Sequence, residues 1–223
     1  KAEAYRFMRG PVVKRALSMA TLVVANTEET PSILSLYAPP SDFQDKMLVV
    51  PLGFDPTAFV YDQTCREAKR VSLKLDASDI VVLLSSRFAE EKVSSIELII
   101  EGFERAAAQD DRLNLLVTGL DDGPIAHGFR SRLSAGPFAD RTHLCGFLDR
   151  SALAEAYHAA DIAVFARPSI SCQEALGTGT YGLFADDGSM DWLISNPECG
   201  RTFATNEVEH LSTELLQILS EFE

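Results

Sequence analysis

From Ile80 onward, short apolar runs alternate with stretches whose apolar residues recur at helical spacing, and this alternation constrains the fold more than any other feature. Val81-Val82-Leu83-Leu84 is followed by Ile96, Ile99, Ile100, Phe103 and Ala107, one stripe of a helix. Leu113 to Val117 is the next run and stops at Thr118-Gly119, and His127 to Ser134 reads as a helix. Arg141 to Cys145, 161–165 and Tyr181 to Ala185 read as further strands. A helix carrying Leu153, Tyr157 and Ala160, capped by Asp149 or Ser151, and a shorter one over Gln173 to Leu176 fall between them. A short helix over Met190 to Ile194 and an amphipathic one over Val208 to Leu219 close the pattern. Such runs, separated by helices, predict an α/β fold with a Rossmann-like parallel sheet flanked by helices.

Upstream the rhythm is looser. Leu22 to Ala25 and Met47 to Val50 read as short strands with a helix around Thr30 to Tyr37, and 56–75 is charged text with a linker and a short helix. A Pro-Leu-Gly turn at Pro51 precedes the change. The expected partition is 1–50 as the end of one domain, 51–60 as a linker, and 61–223 as a second domain.

The chain has 223 residues, enough for one large domain or for one domain and part of another. Its formal charge is −13, which excludes a nucleic-acid partner in need of a basic face. It has no apolar run near the ~20 residues that span a bilayer, and no signal-peptide pattern at the start. The expected location is therefore cytoplasmic. Lys1, Arg6, Arg9, Lys14 and Arg15 against Glu3 make the opening segment locally basic, and interleaved Phe7, Met8, Val12, Val13 and Leu17 suit an anionic membrane surface. Peripheral membrane contact is one reading; a helix of the first domain, interrupted at Gly10-Pro11, is the favoured one. Cys65, Cys145, Cys172 and Cys199 lack C-x-x-C spacing, the four histidines lack H-x-x-x-H pairing, and no Asp-x-Asp occurs. No metal site and no cofactor is expected.

Two loops stand out. Ser85-Ser86-Arg87 follows the first regular strand, with Lys92 five residues beyond the arginine. Ser169-Ile170-Ser171 follows the strand 161–165, with Glu174 and Gly179 beyond. Each is a buried strand entering a loop that opens a helix, an arrangement that points backbone N–H groups at an anion. The bland readings stand beside this. Arg87 and Lys92 flank Glu90 and Glu91, so they also fit a solvated charge cluster at a helix start. Ser171 to Glu174 also fits a capping box, with Glu174 in the first helical turn, and from the residues alone capping outweighs a ligand role. Ser169 to Ser171 suit N-capping and anion binding at once. Gly119 and Gly146 fit turns after strands, Asp186-Asp187-Gly188 a further turn, Asp55 a turn or interdomain contact, and Tyr181 the core.

In order and interval, these elements resemble the family 4 retaining glycosyltransferases of the GT-B architecture. The resemblance rests on Pro51-Leu52-Gly53-Phe54-Asp55-Pro56-Thr57-Ala58-Phe59, then Ser86-Arg87 with Lys92, then Val117-Thr118-Gly119 and Gly146-Phe147-Leu148. Tyr157-His158-Ala159-Ala160-Asp161 and Glu174-Ala175 with Gly179 complete it. It implies the C-terminal, donor-binding domain of a GT-B enzyme, preceded by a remnant of the N-terminal acceptor domain. It further implies a nucleoside-diphosphate sugar as donor, a saccharide or lipid-linked acceptor, and transfer with retention and without metal. By the same resemblance Arg87 and Lys92 are the catalytic cations on the diphosphate, and Glu174 accepts from the ribose hydroxyls. Ser169, Ile170 and Ser171 cradle phosphate, while Gly119, Gly146, Phe147 and Leu148 lie by the base. Asp191 stands where the family often has an acidic residue. The sequence departs from the family at Val93, where Gly usually follows the Lys, and at Ala166, where a sugar-facing Glu is common. Ala166 favours a second reading, a non-catalytic nucleotide-sugar binding module. A third, an unrelated Rossmann-like domain, lacks the G-x-G-x-x-G that would support it.

Overall fold

A computed structural model describes residues 2–26, 30–50, 53–188, 190, 193–194 and 196–222. Asp191 and most of the expected 190–194 helix lie outside these. The chain divides into two compact units, one ending at Gly53 and the other beginning at Phe54.

The first unit comprises α1 (Ala2–Met19), β1 (Val23–Ala25), α2 (Thr30–Leu34) and β2 (Met47–Val49). β1 and β2 pair in parallel, Val23 opposite Met47 and Ala25 opposite Val49. A small core of Leu17, Ala38 and Phe43 gathers Val13, Val23, Leu34 and Met47 around it. Contrary to expectation, α1 runs through Pro11 as one helix. A proline there forgoes one helical hydrogen bond, a cost the remaining turns on either side offset. No helix among the described residues is long and apolar enough to cross a membrane.

The second unit begins with α3 (Gln63–Ser72) and then builds β3 (Ile80–Ser85), α4 (Val93–Ala107), β4 (Leu113–Leu120), α5 (Pro124–Ala135) and β5 (Thr142–Gly146). It continues through α6 (Arg150–Ala159), β6 (Ile162–Phe165), α7 (Ile170–Gly177), β7 (Tyr181–Asp186), β8 (Gly200–Ala204) and α8 (Val208–Glu221). Six parallel strands lie in the order β5-β4-β3-β6-β7-β8, the expected Rossmann-like α/β layering. β3 and β6 are central, and Val81 to Leu84 and Ile162 to Phe165 are buried throughout. Right-handed crossovers put α4 and α5 on one face and α6 and α7 on the other. α8 packs on α4 and α3 on α6, completing the two layers. At the first of these contacts a Cβ on Gly102 would meet Leu211 Cδ2 at 2.5 Å, so the missing side chain sets the helix separation.

Local chemistry explains the boundaries. Asp149 is the N-cap of α6, its carboxylate accepting from the Ala152 amide at 2.9 Å. Pro124 occupies the first turn of α5, which starts earlier than expected because a proline there gives up no helical bond. β8 was not anticipated: Gly200-Arg201-Thr202-Phe203-Ala204 lacks an apolar run, as an edge strand can. Tyr181 is only half-buried, its ring against Phe222 and its hydroxyl accepting from Arg201 Nε at 3.1 Å, because it opens β7 at the rim of the sheet. Asp55 holds its own turn, accepting from the Thr57 amide and hydroxyl, and those two bonds keep its carboxyl below the usual range.

Candidate functional site

The chain leaves β3 toward β4 on one side and leaves β6 toward β7 on the other. Two loops that part in this way open a crevice at the carboxyl ends of their strands, where open α/β sheets bind ligands. Such a crevice is present. It is lined by Ser86, Lys92, Ser95, Ala166, Arg167 and Ser169, with Leu84, Ile96, Ile99 and Phe165 at its floor.

On the β3 side, Ser86 and Arg87 are carried out of the strand, and a 3-10 turn at Glu90–Lys92 runs directly into α4. Lys92 is the N-cap of α4 and half-buried, while Arg87 is exposed beside Ser86. Glu90 and Glu91 do not neutralise them: among the described residues, neither cation has an ion pair or side-chain hydrogen bond. Val93 takes the first helical position and packs on the core, so no close backbone approach like that of glycine exists there.

On the β6 side, α7 begins at Ile170, three residues earlier than expected, with Ser169 as its N-cap. Pro168 favours this start, since it keeps Arg167 extended and cannot itself donate. Two expectations fall with the boundary. Ser171 lies inside the helix and Glu174 in its second turn, so no capping box forms. Ser169 makes no side-chain capping bond either, and its hydroxyl lies 3.6 Å from Cys172 Sγ. The first amides of α7 are therefore left without a side-chain acceptor.

Between the two walls stands Tyr157 of α6. Its buried hydroxyl is 2.9 Å from Ser85 Oγ and lies close to the Ser171 side chain. Burial pushes its pKa up to about 12, so it remains a neutral phenol. Glu174 lies close enough to Tyr157 to raise its pKa electrostatically. The Glu174 carboxyl is half-buried, has no hydrogen-bond partner among the described residues, and is pushed above the usual carboxylate range by desolvation, an effect the charge of Arg150 opposes. Arg150 itself pairs with Asp55 at 3.4 Å and lies over the Phe59 ring.

Gly119 is not in a turn after β4 but inside it, at a register shift between Val117 and Leu120, with φ +89°. A Cβ there would lie 2.1 Å from the Ser86 carbonyl oxygen. The glycine lets the β3 loop sit against β4. Gly146 ends β5 and is exposed, as is Phe147, while Leu148 is half-buried. Phe147 is 75% exposed, unusual for a large aromatic at the carboxyl edge of a buried sheet. The structure therefore brings Lys92 and Ser169 into one crevice, with Arg87 and Ile170 at adjoining positions and Ser171 and Glu174 grouped around Tyr157. Gly146, Phe147 and Leu148 stand two strands away.

Arg167 escaped the sequence reading as a site residue. Its Nε donates to Ser95 Oγ at 3.2 Å, which places the guanidinium over the start of α4. Among the described residues no three His, Cys, Asp or Glu side chains gather as metal ligands.

The family model described as glycosyl transferases group 1 matches residues 66–223. No curated protein matches the chain in sequence. Among solved structures, HepE of Anabaena in complex with UDP and glucose superposes over 100% of this chain and 60% of its own, at TM-score 0.78 and 16% identity. A sucrose-phosphate synthase from Thermosynechococcus elongatus covers 96% of this chain and 53% of its own, at TM-score 0.75 and 22% identity. The catalytic domain of starch synthase IV from Arabidopsis thaliana, bound to ADP and acarbose, covers 95% and 50%, at TM-score 0.73 and 15% identity. The chain thus spans little more than half the length of the structures it resembles.

Proposed function

Since the chain belongs to the group 1 glycosyl transferases, whose family model covers its second unit almost entirely, we propose that this unit binds the nucleoside-diphosphate sugar of a retaining transfer reaction. Residues 1–50 would be the end of an acceptor domain and 51–60 the linker. In this reading Arg87 and Lys92 grip the diphosphate, aided by the free amides of α7 near Ser169 and Ile170. The ribose hydroxyls donate to Glu174, and the base lies near Gly146, Phe147 and Leu148. As the glycosidic bond breaks, negative charge grows on the departing diphosphate, and fixed cations stabilise it more than they stabilise the ground state. The acceptor, a saccharide or lipid-linked saccharide, would be presented by the other half of the protein.

One observation carries the proposal: Lys92 lines a crevice at the topological switch of the sheet and Arg87 adjoins it, neither with a carboxylate partner among the described residues, in a chain whose net charge is −13. Unpaired positive charge that no acidic neighbour claims suits an anionic ligand. HepE binds UDP in its solved complexes, which makes UDP the first ligand to try. Calorimetry with UDP, GDP and ADP tests the reading. It expects binding of at least one, lost in the Arg87→Ala, Lys92→Ala double variant; a double variant that binds as well as the parent would refute it. The non-catalytic alternative keeps the same binding site and is excluded if the full-length protein hydrolyses or transfers the donor sugar.

A further inference from the structure

α6 opens against its own dipole. Asp149 caps it, yet the first helical residue is Arg150, and a cation at a helix N-terminus is disfavoured. The helix does not explain this arginine; its surroundings do. Asp55 stands 3.4 Å from Arg150 Nη2, and the guanidinium lies 5.6 Å from the centre of the Phe59 ring. Both supports are themselves fixed. Asp55 is kept ionised by the Thr57 amide and hydroxyl, and Phe59 is buried, its ring 5.9 Å from that of Tyr157. The same segment is fitted to α7, since a Cβ on Gly177 would meet the Phe54 ring at 2.5 Å and the Phe59 carbonyl at 2.6 Å. The guanidinium therefore has a set position beside the helix that carries Glu174.

Glu174 needs such a neighbour. Half-buried and without a hydrogen-bond or ion-pair partner among the described residues, it is pushed toward its neutral form, which accepts fewer hydrogen bonds than the carboxylate. The groups around it do not counter this. Burial holds the protons on Tyr157 of α6 and Cys172 of α7, while Glu155 and His158 of α6 lie toward Lys69 and Arg66 of α3. β6 has no titratable side chain, and β7 has only Tyr181 and Asp186, one at each end. Lys92, across the crevice, acts on Cys172. The charge that bears on Glu174 is that of Arg150.

We propose that Arg150 is a positioning residue of the donor site: anchored by Asp55 and Phe59, its charge keeps Glu174 a carboxylate able to accept from the ribose hydroxyls. The proposal rests on the donor-binding reading above and adds a residue to it. A hydrogen bond to a charged acceptor is stronger than one to a neutral carboxyl, so the nucleotide is held more tightly while the proton stays off.

Two measurements on the whole chain test this. One is an NMR titration of the Glu174 side-chain carboxyl, assigned by the loss of its signal in Glu174→Gln; the other is calorimetry with UDP, GDP and ADP across pH. In Arg150→Met the carboxyl midpoint should rise, and the acid-side loss of nucleotide binding should begin at a correspondingly higher pH. Arg150→Lys keeps the charge without the planar fork and should fall between this variant and the parent. A midpoint that stays put in Arg150→Met, or a loss of affinity equal at every pH, overturns the assignment, because a purely structural arginine would move neither the midpoint nor the shape of the profile. Failure of all three nucleotides to bind the parent overturns the underlying reading instead.

Discussion

At the amino end of β3 and β6, Arg66 and Arg70 of α3 both reach Asp161, while at the carboxyl end of the same strands Arg87, Lys92 and Arg167 meet no carboxylate among the described residues. The first cluster is closed. Arg66 also donates to the carbonyls of His158 and Ala160, Arg70 to those of Ala159, Asp76 and Asp79, and Asp161 accepts from the Val81 amide at 2.7 Å. Both terminal nitrogens of each guanidinium and both oxygens of the carboxylate are answered from within the chain, which fastens α3 and α6 to the start of β3. The second cluster is answered only by a serine and by solvent. Charge serving the fold is satisfied in the folded state; charge left unsatisfied in a crevice waits for something outside it.

Substitutions can break this contrast. The largest effect should come from Asp161→Ala, which strands two part-buried guanidinium groups and a strand amide. A loss of about 3–5 kcal/mol is expected from urea unfolding. Arg87→Ala with Lys92→Ala should leave unfolding within about 0.5 kcal/mol of the parent yet weaken nucleotide binding about 100-fold. If the single and the double variant destabilised the chain equally, the division into structural and ligand-seeking charge would fail. Gly119→Ala should cost about 2 kcal/mol in stability, because it forces a positive φ and a clash with the Ser86 carbonyl. It should also weaken nucleotide binding by moving Arg87.

Glu174 gives a smaller and pH-dependent effect. Its raised pKa means that the proton is held more tightly than on an ordinary glutamate. If ribose hydroxyls donate to the ionised form, binding weakens as pH falls through that raised value, before exposed carboxylates protonate. Glu174→Gln should cost about tenfold in affinity near neutrality and abolish this acid-side dependence, checked by calorimetry across pH. The smallest change is Ser169→Ala. With no capping bond to lose, it should alter the unfolding free energy by only about 0.2 kcal/mol, well below the usual penalty for removing a cap.

Much of this was legible beforehand. β3 and β6 announced themselves because a strand covered on both faces is apolar at every position, and α4 because its stripe recurs at helical spacing. Edges and starts were harder. β8 covers only one flank of the sheet and so needs few apolar residues. The beginning of α7 was misplaced because Ser169 and Ser171 are equally good caps by composition, and the choice fell to Pro168 and to the packing of α7 on α6. Such packing is a tertiary fact with no local signature. The Arg66–Arg70–Asp161 cluster was hidden for the same reason, since its members lie more than ninety residues apart. Lys92 and Ser169 were recoverable because each sits where a buried strand has just ended. Arg167 was not, because nothing in its own neighbourhood points toward Ser95.

The phenol of Tyr157 bonds Ser85 at one wall of the crevice and lies close to Ser171 and Glu174 of α7 at the other. The gap between those walls is thus gauged by one rigid ring, as by the fixed jaw of a calliper. A phenol that keeps its proton to about pH 12 holds that setting through any pH a living cell presents. A nucleotide arriving there would find an opening whose width was fixed before it came.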